Sequence, residues 1–262
     1  MVKKLLVLTL TSSILFSFET EILFSAIKFN YVEKENGKFL NSETCSYSKY
    51  PGIIFSITEK NEFLYNISIE YNKGETTYIG STWGGTPLKS ISKNSFLYNL
   101  SLKIGYLFYE DKTNLGTIGK VYPVIGIGYR FWNRGKSNYI GDYDEEYSWK
   151  YFLIGSIFDI DMSIYSFGLN IQYQQGIDSK LKADLFNGLT FKLKTKGYKI
   201  EVPLKIELYN NYGITLKYVY DYWKVTDSTK EIITVGNENY IVYEPNSETK
   251  NNYLSIGIYY NF

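Results

Sequence analysis

Along most of this chain apolar and polar side chains alternate residue by residue, and in the clearest segments the charges keep to one side of that alternation. In the last segment Leu254, Ile256, Ile258, Tyr260 and Phe262 share one face, against Tyr253, Ser255, Gly257, Tyr259 and Asn261. The segment before it sets Ile214, Leu216, Tyr218, Tyr220 and Tyr222 against Thr215, Lys217, Val219, Asp221 and Trp223. A period of two belongs to a β-strand, because successive Cβ atoms point to opposite sides of a pleated backbone. Upstream, Ile200 to Leu208 alternates with Glu201, Pro203, Lys205 and Glu207, and Phe96 to Phe108 alternates around Asn99, Ser101, Lys103 and Gly105. Comparable strands are expected at Ile27 to Tyr31, Ile53 to Ile57, Phe63 to Tyr71, Val121 to Phe131 and Tyr165 to Tyr173, with Trp149 to Phe158 apolar on both faces. The expectation is an all-β chain of about ten strands, roughly eight to twelve.

The links between these segments alternate in length. Long ones near 34–50, 73–94, 134–146, 176–196 and 226–250 are interleaved with short ones at 59–62, 159–161 and 210–212, and the link 110–120 is intermediate. Long loops at one end and tight turns at the other, with an even strand number, are the pattern of a transmembrane barrel. Tyr, Phe and Trp make 18% of the residues, which suits strands. A mean hydropathy of -0.22 excludes a bundle of membrane helices, each needing an apolar run of about 20 residues.

Volume decides which face looks outward. The large Tyr, Phe, Ile and Leu side chains are expected on a lipid-facing surface, because a small barrel's lumen has no room for them all. Ser, Asn, Gln, Gly and the charges are then expected inside. Tyr71, Tyr106, Tyr173, Tyr198, Tyr222 and Tyr260 lie towards strand ends, where an amphipathic ring meets the headgroups. Closure follows, since a free sheet edge in hydrocarbon leaves amides unpaired at several kcal/mol each. The fold class is a transmembrane antiparallel up-and-down β-barrel.

The chain stops at Tyr259-Tyr260-Asn261-Phe262. In this it resembles the outer-membrane β-barrel proteins of Gram-negative bacteria, whose last strand ends in an aromatic residue used as an assembly signal. The resemblance implies residence in the outer membrane, contact with its lipid and lipopolysaccharide, and handling by the barrel-assembly machinery through the C-terminal strand, with Tyr260 and Phe262 as the signal. A monomer is expected. An export signal fits the start: Lys3-Lys4 precedes an apolar core from Leu5 to Phe16. Residues 1–20 are assigned to a signal peptide, with cleavage anywhere from Ser17 to Ala26, and 21–262 to one barrel domain.

The inward charges expected are Lys28, Glu70, Lys103, Arg130, Glu201, Lys205, Glu207, Lys217 and Asp221, five positive and four negative. Buried charges need partners, so a near-balanced set predicts a salt-bridged lumen rather than a selective pore. The lysines of 176–196 and the acids of 226–250 are expected to pair as solvated loops or to meet an external surface. Ile232 to Val235 and Tyr240 to Tyr243 read as a hairpin above the membrane. Gly126-Ile127-Gly128 and Trp83-Gly84-Gly85 complete no phosphate-binding motif; they read as a lumen-facing kink and a loop turn. The single Cys45 forms no internal disulfide, and a net charge of +1 gives no field for nucleic acid.

Asp142-Tyr143-Asp144-Glu145-Glu146 is the densest acidic run. Paired carboxylates of this kind hold a hard cation or activate water, but the spacing of a calcium loop is missing. Strand count and an outward acidic loop resemble the omptins, ten-stranded outer-membrane proteases whose catalytic set joins Asp residues to an Asp-His couple. This chain has no histidine. No enzyme, cofactor or metal is expected. The functions left are a structural barrel or narrow passive channel, a surface-binding barrel working through its long loops, and, last, a histidine-free enzyme.

Overall fold

Alternating segments are strands in the computed structural model, which describes residues 18–262 apart from 82–84, 114–115, 138, 140, 186–187, 210, 227 and 236. The basic and apolar segment 1–17 and the Trp83-Gly84 pair therefore lie outside the described residues. In chain order the strands are β1 (Phe18–Lys28), β2 (Asn30–Glu35), β3 (Lys38–Thr44), β4 (Pro51–Lys60) and β5 (Phe63–Ser81). Then come β6 (Pro87–Tyr106), β7 (Tyr109–Lys112), β8 (Thr117–Asn133), β9 (Glu145–Met162) and β10 (Tyr165–Ala183). The chain closes with β11 (Leu189–Tyr209), β12 (Tyr212–Thr226), β13 (Lys230–Val235), β14 (Glu238–Tyr243) and β15 (Asn246–Asn261).

Ten of these form a ring. β1, β4, β5, β6, β8, β9, β10, β11, β12 and β15 pair antiparallel in that order, and β15 returns to β1. At this seam Glu19 to Lys28 run opposite Asn261 to Asn252, and the Phe262 amide donates to the Phe18 carbonyl at 3.0 Å. The Phe18 and Phe262 rings stack over the joint at 4.4 Å between centroids. The strand expected at Ile27 to Tyr31 thus begins at Phe18, within the range considered for signal cleavage.

The strands are longer than the membrane requires. β5, β6, β10 and β11 have 19, 20, 19 and 21 residues, whereas about 9–11 cross a bilayer. Most of what reads as long loops at 73–94 and 176–196 is continued strand, and 34–50 holds the β2–β3 hairpin. Its turn is Asn36-Gly37, both left-handed with φ of 49° and 79°, the type I′ signal that a two-residue hairpin requires. The expected hairpin above the membrane is β13–β14. The tight turns all lie at the end that carries Phe18 and Phe262. One of them shifts: β9 turns into β10 at Ser163-Ile164, beyond Asp161, which stays in the strand opposite Ser166.

β11 shows why the extensions escaped a single alternation rule. Its outward positions are Lys192, Lys194 and Lys196, then Tyr198, Ile200, Val202, Leu204, Ile206 and Leu208; its inward positions are Phe191, Leu193, Thr195, Gly197, Lys199, Glu201, Pro203 and Lys205. The pleat continues unbroken while the polarity of its two faces exchanges between Lys196 and Tyr198. Below that level hydrocarbon surrounds the barrel and the apolar face turns out. Above it water does, and Phe191 and Leu193 turn in to an ordinary core. Lys150 on β9, Lys224 on β12 and Lys250 on β15 mark the same boundary on outward positions. Ile256 sits outward midway along the lipid-facing part of β15. Its replacement by Arg is expected to lower unfolding stability by about 2–4 kcal/mol in bilayers; denaturant titration of the refolded protein measures this, and a loss below ~1 kcal/mol would place that face out of lipid.

Candidate functional site

The lumen is built in three levels. At the short-turn end its charges pair across the barrel: Lys60 with Asp159 at 2.7 Å, Lys217 with Glu21 at 2.5 Å, and Lys205 with Glu19. Above these, Glu201 receives Lys103 at 3.2 Å and Lys199 at 2.9 Å, together with the amide of Asn170. Between the pairs remains a crevice of about 90 Å³ bordered by Ser56, Asn66, Lys103 and Glu201, room for a few waters. It meets a wider recess of about 280 Å³ at the rim, where Glu207, Lys120 and Tyr259 lie.

Aromatic side chains fill the next level. Trp223 packs on Trp149 at 5.0 Å and Tyr151 at 5.4 Å between centroids, and the Arg130 guanidinium lies over both indoles. Arg130 donates to Asp221 at 2.7 Å, and Trp223 Nε1 donates to the other oxygen of Asp221 at 3.1 Å. Gly128 and Gly197 make the room: each sits directly opposite its ring, Tyr151 or Trp223. A Cβ on Gly128 would stand 2.2 Å from the Tyr151 ring. Inward side chains from every ring strand are buried in the lumen, among them Ile27, Ile54, Asn72, Leu97, Arg130, Tyr151, Gln174, Thr195, Asp221 and Tyr253, with Tyr50 just ahead of β4. Trp223 and Tyr253, which the alternation sets on the face opposite the lipid-facing one, turn inward and form a plug with Trp149 and Tyr151 of the segment apolar on both faces, admitted because neighbouring inward positions are glycine.

Beyond the lipid boundary the third level is acidic. Arg134, after β8, holds Glu145 at 2.9 Å, Glu43 at 3.2 Å and Asp142 at 3.4 Å, and lies over the rings of Tyr78 and Tyr143. Beside it Glu244 accepts from Tyr147 at 2.7 Å, and the Tyr31 hydroxyl lies within hydrogen-bond reach of both Glu244, at 3.1 Å, and Glu33. Burial, reinforced by the charge of Glu145, pushes the Glu33 carboxyl up to about 7. Burial also carries Glu43 up to about 7 although it shares Arg134. Burial and repulsion from Glu33 and Glu145 take Glu244 well above the usual carboxylate range. Burial opposes the charge of Arg134, but Glu145 and Glu43 outweigh it and hold its proton more tightly than usual.

Of the residues expected in the lumen, Arg130 meets Asp221 and Lys103 meets Glu201, while Lys205 and Lys217 meet Glu19 and Glu21. Glu70 is buried opposite Asn99. Glu207 is exposed at the rim. Lys28 is a correction: it points out, because Ile27 and Phe29 on either side of it turn inward to the plug. Of the acidic run, Asp142 and Glu145 reach Arg134, whereas Asp144 pairs with Lys136 at 3.6 Å. Among the described residues no group of three or more carboxylates is arranged to hold a metal. Glu33, Glu43 and Arg134 escaped sequence reading; the signal that finds them is Asn36-Gly37, since a hairpin there turns Glu33 and Glu43 into inward strand positions. Replacing Arg130 by Met is expected to cost about 3–5 kcal/mol, because Asp221 is left buried and alone, and Arg130→Met with Asp221→Leu to recover most of it. Denaturant midpoints decide; single-variant losses under ~1 kcal/mol would remove the pair from the stability of the lumen.

No protein-family model matches the chain, and no curated protein matches it in sequence. Its fold is similar to that of the outer membrane protease OmpT from Escherichia coli, with a TM-score of 0.61 and 10% identity over 94% of this chain and 97% of that one. Weaker likenesses include Ail of Yersinia pestis (TM-score 0.37, 10% identity, 93% and 99% covered) and OprG of Pseudomonas aeruginosa (TM-score 0.32, 10% identity, 92% and 96% covered). At such identities the likeness concerns architecture alone. A closed ring of ten antiparallel strands, apolar outside and charged within, gives this chain the fold of the Gram-negative outer-membrane β-barrel proteins.

Proposed function

We propose that the protein is a closed, non-conducting barrel of the bacterial outer membrane whose working surface is the strand extension outside the cell, not the lumen. The observation that carries this is the aromatic and ion-paired level, in a lumen where inward side chains of every ring strand are buried. A narrow passive channel needs a continuous wet path, and the Trp149, Tyr151, Trp223 and Arg130 plug stands across it. With no histidine in the chain, the reading is a structural and surface-binding role rather than the hydrolysis that OmpT's name describes.

Its nearest partners are the membrane's own components. Outward lysines beyond the apolar belt would meet the phosphates of lipopolysaccharide, with Lys196 directly opposite Lys224 across β11 and β12. Like charges set opposite each other repel unless an anion joins them. Tyr260 and Phe262, on the strand that completes the ring, fit a C-terminal signal read by the barrel-assembly machinery. Removal of a signal peptide falls on the early side of the range, after Ser17, because cutting as late as Ala26 would delete the residues that pair with both β15 and β4. Intact mass of the protein recovered from outer membranes is expected to match a start at Phe18; a start at Ile27 would contradict the seam.

Reconstituted in planar bilayers after a heat-modifiable shift on gels, the barrel is expected to show no discrete conductance steps. Truncating the plug with Trp149→Ala and Trp223→Ala is expected to introduce them. Regular steps from the unaltered protein would favour the passive-channel reading and overturn this one.

A further inference from the structure

The acidic level beyond the membrane gathers side chains from several separate parts of the chain. Glu33 and Glu43 come from the β2–β3 hairpin, Asp142 from the segment between β8 and β9, Glu145 from β9, and Glu244 from the foot of the β13–β14 hairpin. β13 and β14 form a two-stranded sheet of their own, outside the ring, and an isolated hairpin is barely stable in water. Its foot is tied to the barrel by Glu244, through the hydroxyls of Tyr147 and Tyr31, and by Thr229, whose amide donates to the Lys192 carbonyl of β11 at 3.0 Å and whose hydroxyl accepts from the Lys192 amide at 3.1 Å.

The charge count of this site does not balance. Arg134 is the one cation bonded to these five carboxylates among the described residues, and Glu33, Glu43, Glu145 and Glu244 are all buried. The other titratable groups facing them are the phenols of Tyr31, Tyr78, Tyr143 and Tyr147, neutral in the same range. So many carboxylates around a single guanidinium cannot all ionise out of water. Two hydroxyls lie on the strand beside them. On β15, Ser247 stands opposite Glu33 and Thr249 opposite Tyr31, and both hydroxyls are buried without a hydrogen-bond partner. A serine or threonine hydroxyl both donates and accepts, so these two can take the proton of a neutral carboxyl or give their own to an ionised one.

We propose that protons carried by Glu33, Glu43 and Glu244 latch the β2–β3 and β13–β14 hairpins onto the barrel mouth, so that the extracellular cap is closed in mildly acidic surroundings and loosens as the medium turns alkaline. The sign follows from linkage. Glu33 and Glu43 have folded values raised from an ordinary 4.5 to about 7, so over that window the closed cap binds more protons than the open one, and raising the pH opens it. The contribution is fully present below about 4.5 and is lost as pH rises through 7, with Glu244 extending the loss upward. The ring itself, held by backbone pairing in lipid, does not share this dependence.

The test is hydrogen–deuterium exchange on the full refolded barrel in lipid at about pH 5.5 and about pH 8.5, corrected for intrinsic exchange chemistry. Peptides covering 30–44 and 238–246 are expected to lose at least about tenfold in protection at the higher pH, with 200–208 and 252–260 unchanged. Glu33→Gln with Glu244→Gln, which mimics the protonated pair, is expected to restore most of the cap's protection at the higher value, the remaining loss being that of Glu43. Equal cap protection in the unaltered protein at both pH values would overturn the latch without recourse to a variant. A Gln pair that leaves the cap open at both would show instead that these groups work as anions, and would overturn the latch.

Discussion

Backbone closure in hydrocarbon is the constraint on which everything else in this barrel depends. Without water to satisfy them, the amides of β1 and β15 have only each other, and the register from Glu19–Asn261 to Lys28–Asn252 satisfies ten positions in turn. The seam fixes where the chain enters the ring and brings Phe18 onto Phe262. Once the ring is closed every inward position is set by the pleat, so the lumen is a consequence of parity. Glu21, Leu23, Ser25 and Ile27 point in because Ile22 and Phe24 must point out.

A lumen fixed in this way cannot be filled by one kind of side chain. Near the short turns, charges from distant strands meet as pairs, Lys60 with Asp159 and Lys205 with Glu19, and the rim stays wet. Higher up the pairs become drier. Arg130 and Asp221 are each 3% exposed or less and are enclosed by indole and phenol rings. Such a pair adds little net stability against an apolar filling, but leaving either member alone is expensive, so it fixes which strands face each other. The opposed glycines serve the same end: Tyr151 fits only over Gly128, and Trp223 only beside Gly197.

The part of the chain in lipid was legible because hydrocarbon imposes a strict rule on alternate residues. From Tyr198 to Leu208 and from Leu254 to Phe262 each outward residue is apolar, and the strands lie where alternation places them. Three features were not legible, each for a physical reason. β1 overlaps an apolar, small-residue stretch that also satisfies the requirements of an export signal, so Phe18 to Ala26 carried two meanings. The extensions at 176–196 carry lysine on the face that is apolar below, and a reader following one face sees the strand end at Tyr198 when only the solvent has changed. The inward aromatics of Trp149 to Phe158 registered as a segment apolar on both faces, with no sign of which side would be core.

That exchange of faces also explains where the acidic level is found. In the membrane the inward face collects charge because the outward face must shed it; above the membrane the inward face is an aqueous protein's core, and charge belongs outside. Glu33, Glu43, Glu145 and Glu244 break this second rule, since they are buried at a height where Lys192 and Lys194 show that outward positions accept charge freely. The cost of burying them is not required by closure, by the lipid boundary or by the pairing of the ring. It is offset by what the carboxyls hold together: the foot of the β13–β14 hairpin, joined through Glu244 to Tyr147 and Tyr31, and the β2–β3 hairpin stitched between β15 and β5, whose Glu43 shares Arg134 with Glu145.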